Sequence, residues 1–307
     1  MNCEMLDPRR LLAASLAGGV LTIDGTERAD AVVVAAAGSA AGGVLSVQIN
    51  GLERTFPARD VVRIIVLARG GSDRIDLSGT SRPGLLKGAA GNDTLIGGSG
   101  SDRIIGGSEN DLLDGRAGDD RLDGGAGSDR FVGGEGRDTA DYSTRTRRIT
   151  LTLGVGANDG EAAENDDVRV DIEGVLGGAG GDRIEGSNYP HAIYGGAGND
   201  TIIGGRGPDT LGGEAGDDSV YGGRGSDRIS GGDGNDQLWG NGGERNFLLG
   251  GAGDDGLHID NHEPDDAVDG GSGRDWGTFD VWIVSSDLYK DHLRGIEIED
   301  PTYRMPV

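Results

Sequence analysis

The sequence predicts an all-β solenoid, a stack of short strands in which each strand contacts only its neighbours. A nine-residue unit, Gly-Gly-x-Gly-x-Asp-x-apolar-x, recurs in register and is clearest at residues 97–105. Glycine supplies 62 of the 307 residues and aromatic residues only 4%, too few large side chains for a conventional core. A fixed short period of this kind is typical of repeat architectures.

The repeat unit divides into a turn and a strand. Its first six residues favour a turn, because glycine adopts positive φ and leaves room for backbone carbonyls to converge. Its last three residues, x-apolar-x, predict a three-residue strand whose middle side chain faces the core. One apolar residue in nine cannot form a core alone, so the units must stack.

The sixth-position acids are the candidate functional residues. Two units are expected to close one coil, so that aspartates eighteen residues apart stack on the same edge. These residues are Asp93, Asp102, Asp111, Asp120, Asp129, Asp138, Asp182, Asp200, Asp209, Asp218, Asp227, Asp236 and Asp255. Stacked carboxylates in a chain of net charge -25 repel one another. We therefore expect multiple Ca²⁺ ions between successive rungs, because Ca²⁺ accepts roughly 6–8 irregularly placed oxygens, whereas Mg²⁺ demands a tighter octahedron.

This pattern resembles the RTX, or haemolysin-type calcium-binding repeat, family over residues 88–141 and 177–258. The resemblance implies a right-handed parallel β-roll with Ca²⁺ in the turns, and it assigns the ligand role to the sixth-position aspartates. It also implies an exported bacterial protein that folds outside the cell. The ion rows are expected to be interrupted at residues 142–176, at His191 and in the ten-residue coil from Gly240, where Arg245 or Asn246 takes the acid position. Glu109 replaces the glycine of a fourth position.

The segments before the first block carry other signals. Residues 1–19 are a candidate targeting segment, with Arg9-Arg10 before a short apolar run. Residues 5–13 resemble an N-terminal motif common in planctomycete extracellular proteins. Residues 20–87 read as β strands, with turn signals at Asp24-Gly25 and Asn50-Gly51, and predict an N-terminal cap of degenerate coils.

Two further segments break the period. Residues 142–176 contain strand-like runs at 148–153 and 168–172, and predict wider coils inserted into the same solenoid. Residues 259–307 are less regular and predict a C-terminal cap, closed by a strand in the segment ending at 295–299. The repeat blocks are thus expected at residues 88–141 and 177–258.

Composition and motifs exclude several classes of function. Cys3 is the only cysteine, which excludes an intrachain disulfide and thiolate zinc sites. No apolar run is long enough for a spanning helix, and the acidic composition argues against nucleic acid as a partner. No short catalytic motif is found, so an enzyme is not predicted. His258 and His262 could form a transition-metal pair, but Pro264 disfavours a helix there, and a plain loop is predicted.

These observations predict a calcium-binding secreted or cell-surface repeat protein whose folding is coupled to Ca²⁺ outside the cell. The alternative is an exported RTX enzyme, hydrolase-like, with its active site outside the repeats. Partial apolar stripes at the ninth position either pack against the neighbouring sheet face or contact a cell-surface polymer or protein partner. They consist of Ile96, Ile105, Tyr194, Ile203, Tyr221 and Trp239.

Overall fold

The computed structural model describes residues 13–37, 43–243, 245–259, 266–279, 293–294 and 296–298. The described residues form β strands joined by turns, with a single 3₁₀ turn at Ala58–Asp60. They divide into two compact units. Unit 1 comprises Met1–Asp141, Gly154–Asp159 and Ala163–Ile172; unit 2 comprises Tyr142–Leu153, Gly160–Ala162 and Glu173–Val307.

The strands are short, and six residues is the commonest length. In chain order they are β1 (Ala13–Ala17), β2 (Val20–Asp24), β3 (Ala31–Ala37), β4 (Val44–Ile49), β5 (Leu52–Pro57), β6 (Arg63–Gly70), β7 (Arg74–Gly79), β8 (Gly84–Ala90), β9 (Thr94–Ile96), β10 (Arg103–Ser108), β11 (Leu112–Ala117), β12 (Arg121–Ala126), β13 (Arg130–Glu135), β14 (Thr139–Asp141), β15 (Ile149–Thr152), β16 (Gly160–Glu161), β17 (Asp167–Val168), β18 (Gly174–Leu176), β19 (Arg183–Glu185), β20 (Ala192–Ala197), β21 (Thr201–Arg206), β22 (Thr210–Ala215), β23 (Ser219–Arg224), β24 (Arg228–Asp233), β25 (Gln237–Gly242), β26 (Phe247–Ala252), β27 (Gly256–Ile259), β28 (Ala267–Ser272), β29 (Asp275–Phe279), β30 (Leu293–Arg294) and β31 (Ile296–Ile298).

In unit 1 the strands form two sheet segments. One has the order β1-β2-β6-β8-β10-β12-β14, and the other β17-β13-β11-β9-β7-β3-β4-β5. The repeat strands pair in parallel, whereas β1 pairs with β2, β3 with β4, and β4 with β5 in antiparallel fashion. Asn50 and Gly51, with φ of 50° and 80°, form the two-residue turn between β4 and β5, as their turn signal predicts.

In unit 2 the same arrangement recurs. One sheet segment has the order β18-β20-β22-β24-β26-β28-β30, and the other β16-β15-β19-β21-β23-β25-β27-β29-β31. The strands pair in parallel, except that β15 and β16 are antiparallel. Both units are therefore parallel β-solenoids, which confirms the predicted all-β fold class.

The register confirms that two nonapeptides close one coil. Arg103 lies opposite Arg121, and Thr201 lies opposite Ser219, each pair eighteen residues apart. Successive nonapeptides alternate between the two sheets of their solenoid. The extra residue of the ten-residue coil does not interrupt the sheet, because Arg228 pairs with Phe247, nineteen residues on.

The strands are longer than the predicted three residues. In β10, for example, the strand continues through Gly106-Gly107 to Ser108. Gly106 is buried together with the apolar residue Ile104. The first glycine of each nonapeptide thus faces the interior as a strand residue. Three-residue strands occur at β9, β14, β18, β19 and β31.

The core consists of columns of single apolar side chains, one per strand. In unit 1 one column contains Ile75, Leu95, Leu113 and Phe131, each fully buried and in register with the next. Each side chain packs against the residues one coil before and after it. The low apolar content of the sequence is thus sufficient, because stacking buries every inward side chain.

The ninth-position stripes are half-buried or buried. Ile96 is only 5% exposed. In unit 2, Tyr221 and Trp239 stack with ring centroids 4.3 Å apart, and Trp239 stacks on His258 at 5.1 Å. Trp276 meets His258 edge-on. Tyr221 and Trp239 therefore pack on one another along the outer face of a sheet, and His258 continues their stack.

Several expectations about irregular segments need correction. His258 lies in β27 and not in a plain loop, because its ring joins the aromatic stack; His262 lies outside the described residues. Of the predicted 168–172 strand only Val168 lies in a strand, β17, since Ile172 donates to the Arg169 carbonyl in a tight turn. Strands outside the predicted runs include β5, β16, β18 and β1, the last inside the candidate targeting segment. Residues 1–12, including Arg9-Arg10, lie outside the described part.

Ala89 tests whether the turn favours a residue that tolerates positive φ. It occupies a second-glycine position with φ of 82°, where an L side chain is strained by about 1–2 kcal/mol. We expect Ala89→Gly to stabilise the protein by about 1 kcal/mol in urea denaturation. Ala90→Gly, at the exposed neighbouring position without left-handed φ, should instead destabilise it by about 0.5–1 kcal/mol. Equal destabilisation by both changes would contradict the assigned strain.

Candidate metal centre

The sixth-position aspartates lie at the turns and point into the solenoid. Each of the thirteen predicted residues is at most 3% exposed. Carboxylates are almost never this buried without a partner. Their burial follows from the fold, because the turn directs each side chain inward, beside the first glycine of its nonapeptide.

The carboxylates form continuous rows through backbone hydrogen bonds. In each row an aspartate N–H donates to Oδ1 of the aspartate one coil later, at 2.6–3.1 Å. In unit 1 the rows are Asp30, Asp73, Asp93, Asp111, Asp129 and Asp166, and Asp102, Asp120 and Asp138. The structure thus brings the predicted residues of unit 1 together on two edges.

Unit 2 has two rows of the same kind. One contains Asp182, Asp200, Asp218, Asp236, Asp255 and Asp275. The other contains His191, Asp209, Asp227, Asn246 and Asp266. Asn246, and not Arg245, therefore takes the acid position of the ten-residue coil.

Some row members were not predicted from the sequence. Asp275 occupies the sixth position of the partial copy that begins at Gly270, and Asp73 follows the glycine pair Gly70-Gly71, so a looser pattern would have found both. Asp166 and Asp266 have no repeat signal, because the segments before them are not nonapeptides. Only the three-dimensional stacking identifies them.

The second carboxylate oxygen distinguishes most row members. Within the described residues, a buried Oδ2 without a hydrogen-bond partner occurs at Asp73, Asp93, Asp111, Asp120, Asp200, Asp209, Asp218, Asp227, Asp236, Asp255 and Asp275. Burying an ionised oxygen without compensation is strongly unfavourable. The repeated orphan oxygen is what a bound cation would satisfy.

The first glycine of each nonapeptide has no Cβ, and this leaves a space beside Oδ2. A Cβ on Gly88 would lie closer than 3.0 Å to Asp93 Oδ2 and to the Gly106 carbonyl; the same holds for Gly204 with Asp209 Oδ2 and the Gly222 carbonyl. The cleared space is therefore lined by a carboxylate and a backbone carbonyl from the next coil. These are the hard oxygen donors that Ca²⁺ prefers.

Backbone carbonyls would have to complete such a site. No three His, Cys, Asp or Glu side chains converge anywhere in the described chain. The donor set of one carboxylate oxygen and turn carbonyls suits Ca²⁺, which takes carbonyl oxygens readily, better than zinc, which prefers nitrogen and sulfur side chains. The residues present fit the calcium that the repeat pattern implies.

Burial gives the row carboxylates unusual acidities. Desolvation, opposed by the backbone hydrogen bond and supported by neighbouring carboxylates, raises the pKa of Asp111 to about 8. The same causes raise the pKa of Asp120, Asp200 and Asp218 to about 7. Without a cation these groups therefore favour the protonated state well above the usual pH range for aspartate.

A pH dependence follows with a definite sign. Because the folded-state pKa is raised above the unfolded value, calcium-free stability is greatest at acid pH and is lost as pH rises from about 4 to about 8. We expect the chelated protein to show more strand signal by circular dichroism at pH 5 than at pH 8. Calcium affinity should have the opposite pH dependence and weaken below about pH 7. Calorimetry should detect proton release when calcium binds. Proton-independent binding between pH 6 and 8 would contradict these acidities.

Three substitutions in the pattern have different consequences. Glu109 adopts φ of 71° and accepts the Gly91 N–H at 2.8 Å, so the turn survives the loss of its glycine and Asp111 keeps its place in the row. His191 and Asn246 preserve the backbone hydrogen bonds of their row. Burial lowers the pKa of His191, so its ring is neutral. The second row of unit 2 therefore carries neutral side chains at two positions.

Comparison with known protein families identifies the repeat. The family model of the RTX calcium-binding nonapeptide repeat matches four times, at residues 78–113, 105–140, 176–211 and 212–245. The matches fall on the nonapeptide stretches of both units, and Asp255 lies beyond the last of them. No curated protein matches the chain.

Proposed function

We propose that this chain, which carries RTX calcium-binding nonapeptide repeats in a β-roll, binds several Ca²⁺ ions along its aspartate rows and serves as a secreted or cell-surface structural module. The observation that carries the proposal is the row of buried aspartates whose Oδ2 atoms have no donor. The ligands proposed from the sequence are the thirteen sixth-position aspartates.

The residues of each turn have separate tasks in this proposal. Oδ1 of Asp218 holds the backbone in register by accepting the Asp200 N–H at 2.7 Å, and Oδ2 faces the space left by Gly213. The Gly231 carbonyl borders the same space from the next coil. A bound Ca²⁺ supplies the positive charge that offsets the buried carboxylates.

Calcium dependence supports a location outside the cell. The chain has one cysteine and little large apolar surface, so ions are the device left to stabilise its folded state. Extracellular calcium-binding modules typically have dissociation constants of about 10⁻⁴–10⁻³ M. In the described residues, no helix is long and apolar enough to cross a membrane.

A binding role is favoured over catalysis. The family match and the solenoid fold both describe a repeat domain. The buried row residues face the interior of the turns, where a substrate would not reach them. We therefore assign the row residues no catalytic role.

Equilibrium dialysis with ⁴⁵Ca²⁺ tests the proposal by counting bound ions. We expect several Ca²⁺ per chain at millimolar calcium, with little competition from equimolar Mg²⁺. Asp218→Asn should lower the count by at least one. Asp217→Asn is the matched control, because Asp217 is exposed and keeps the Oδ1 that accepts the Asn235 N–H. No binding by the unaltered chain at millimolar calcium would refute the proposal.

A further inference from the structure

The first turn of two rows differs from the turns that follow. Asp102 accepts the Gly84 N–H on Oδ1 at 2.5 Å and the Gly98 N–H on Oδ2 at 2.6 Å. Asp182 accepts the Ile149 N–H on Oδ1 at 2.8 Å, and its Oδ2 accepts the Gly178 N–H at 3.0 Å. Both carboxylates thus have a protein donor on each oxygen.

The backbone explains this difference. The strands before these turns, β9 and β18, end after three residues, whereas β10 and β20 continue through six. The second glycine of a later turn, such as Gly107 or Gly196, is left-handed, with φ of 132° or 107°. Gly98 and Gly178 are not left-handed, and their N–H groups meet the carboxylate. We call the turns of Asp102 and Asp182 the closed turns.

The longer row of unit 1 also begins on a side chain that the protein satisfies. Asp30 Oδ2 accepts the Thr26 N–H at 2.7 Å, and its Oδ1 accepts the Asn50 side-chain amide at 2.7 Å. His191 begins the remaining row; its ring Nε2 is 2.8 Å from Ser187 Oγ, and its Nδ1 has no protein partner. Three of the four rows therefore start on a carboxylate with a protein donor on each oxygen, and the orphan oxygens follow.

We propose that Asp102 and Asp182 are not calcium ligands but calcium-independent starting points of their rows. In the closed turns the glycine N–H already compensates Oδ2, the oxygen that has no partner in later turns such as those of Asp111 and Asp200. The closed turns can therefore form before calcium binds, and they present the first strand edge on which the calcium-dependent coils assemble. This inference rests on the proposed calcium function and revises the sequence-based assignment of these two residues.

The test compares closed-turn and later-turn variants in the full chain. Asp102→Asn and Asp182→Asn are paired with Asp111→Asn and Asp200→Asn. Urea midpoints are measured across a calcium series, because the slope of stability against the logarithm of free calcium counts the ions bound on folding. The closed-turn variants should lower the midpoint without changing the slope or the dialysis count. The later-turn variants should reduce both by about one ion.

A loss of ions by Asp102→Asn or Asp182→Asn equal to that by Asp111→Asn would overturn the inference. If the unaltered chain binds no calcium, the proposed function fails, which is a distinct result.

Should a closed-turn variant not fold, hydrogen exchange of the unaltered chain at limiting calcium decides. Protection of residues 97–102 before residues 106–111 supports the inference, and simultaneous or later protection contradicts it.

Discussion

Replacing Phe131 with alanine should destabilise unit 1 by about 3–5 kcal/mol, which is among the largest effects expected of a core truncation. Phe131 is fully buried and is the only large side chain that its strand contributes to the core. Its register neighbours, Leu113 and Val168, cannot fill the space because each is fixed by its own coil. Urea denaturation in saturating calcium measures the change.

The control for this prediction is Val62→Ala. Val62 is 67% exposed, so its truncation should change stability by no more than about 0.5 kcal/mol. A change below about 1 kcal/mol at Phe131 would show that the stacked columns are not the principal apolar core.

Gly213→Ala should remove a calcium ion and destabilise the protein by about 1–3 kcal/mol through overpacking. A Cβ at this position would lie closer than 3.0 Å to Asp218 Oδ2 and to the Gly231 carbonyl. The methyl group therefore occupies the space assigned to the ion and also strains the turn. Dialysis and denaturation in calcium measure the two effects separately.

Gly242→Ala provides the matched control, because the nearest atom to its Cβ would be the Gly223 carbonyl at 3.9 Å. This change should leave the ion count unaltered and be neutral or slightly stabilising. If Gly213→Ala bound as many ions as the unaltered chain, the first glycine would not line the site.

The periodic part of the fold could be predicted from the sequence because the repeat encodes it locally. The eighteen-residue phase, the alternation between sheets and the stacking of Asp111 on Asp129 all follow from one unit applied repeatedly. Strand length could not be predicted, because a glycine in an extended, buried position has no side chain to mark it. Gly106 reads as a turn residue but forms part of β10.

The closed turns show why the candidate site was only partly predictable. Residues 97–102 are the cleanest copy of the repeat, yet Asp102 is the exception. Its turn lies against Thr80, whose carbonyl accepts the Ser99 N–H at 3.0 Å, and Thr80 belongs to a coil that is not a nonapeptide. The conformation of a turn thus depends on the preceding coil as well as on its own sequence.

The ten-residue coil shows a second limit. An inserted residue leaves Arg245 and Asn246 equally placed by counting, and only the hydrogen bond from the Asp227 N–H to Asn246 Oδ1 decides between them. Charge favours the same answer, since a buried guanidinium would need a partner that the turn does not offer. Insertions therefore have to be resolved by packing.

The most direct test of calcium-coupled folding is a titration of the chelated chain at pH 8, above most of the raised aspartate pKa values, followed by far-ultraviolet circular dichroism. The buried carboxylate rows predict a weak strand signal in chelator and a cooperative rise at about 10⁻⁴–10⁻³ M Ca²⁺, without a comparable rise in Mg²⁺. A strand signal that is complete in chelator and unchanged by millimolar Ca²⁺ would contradict the account.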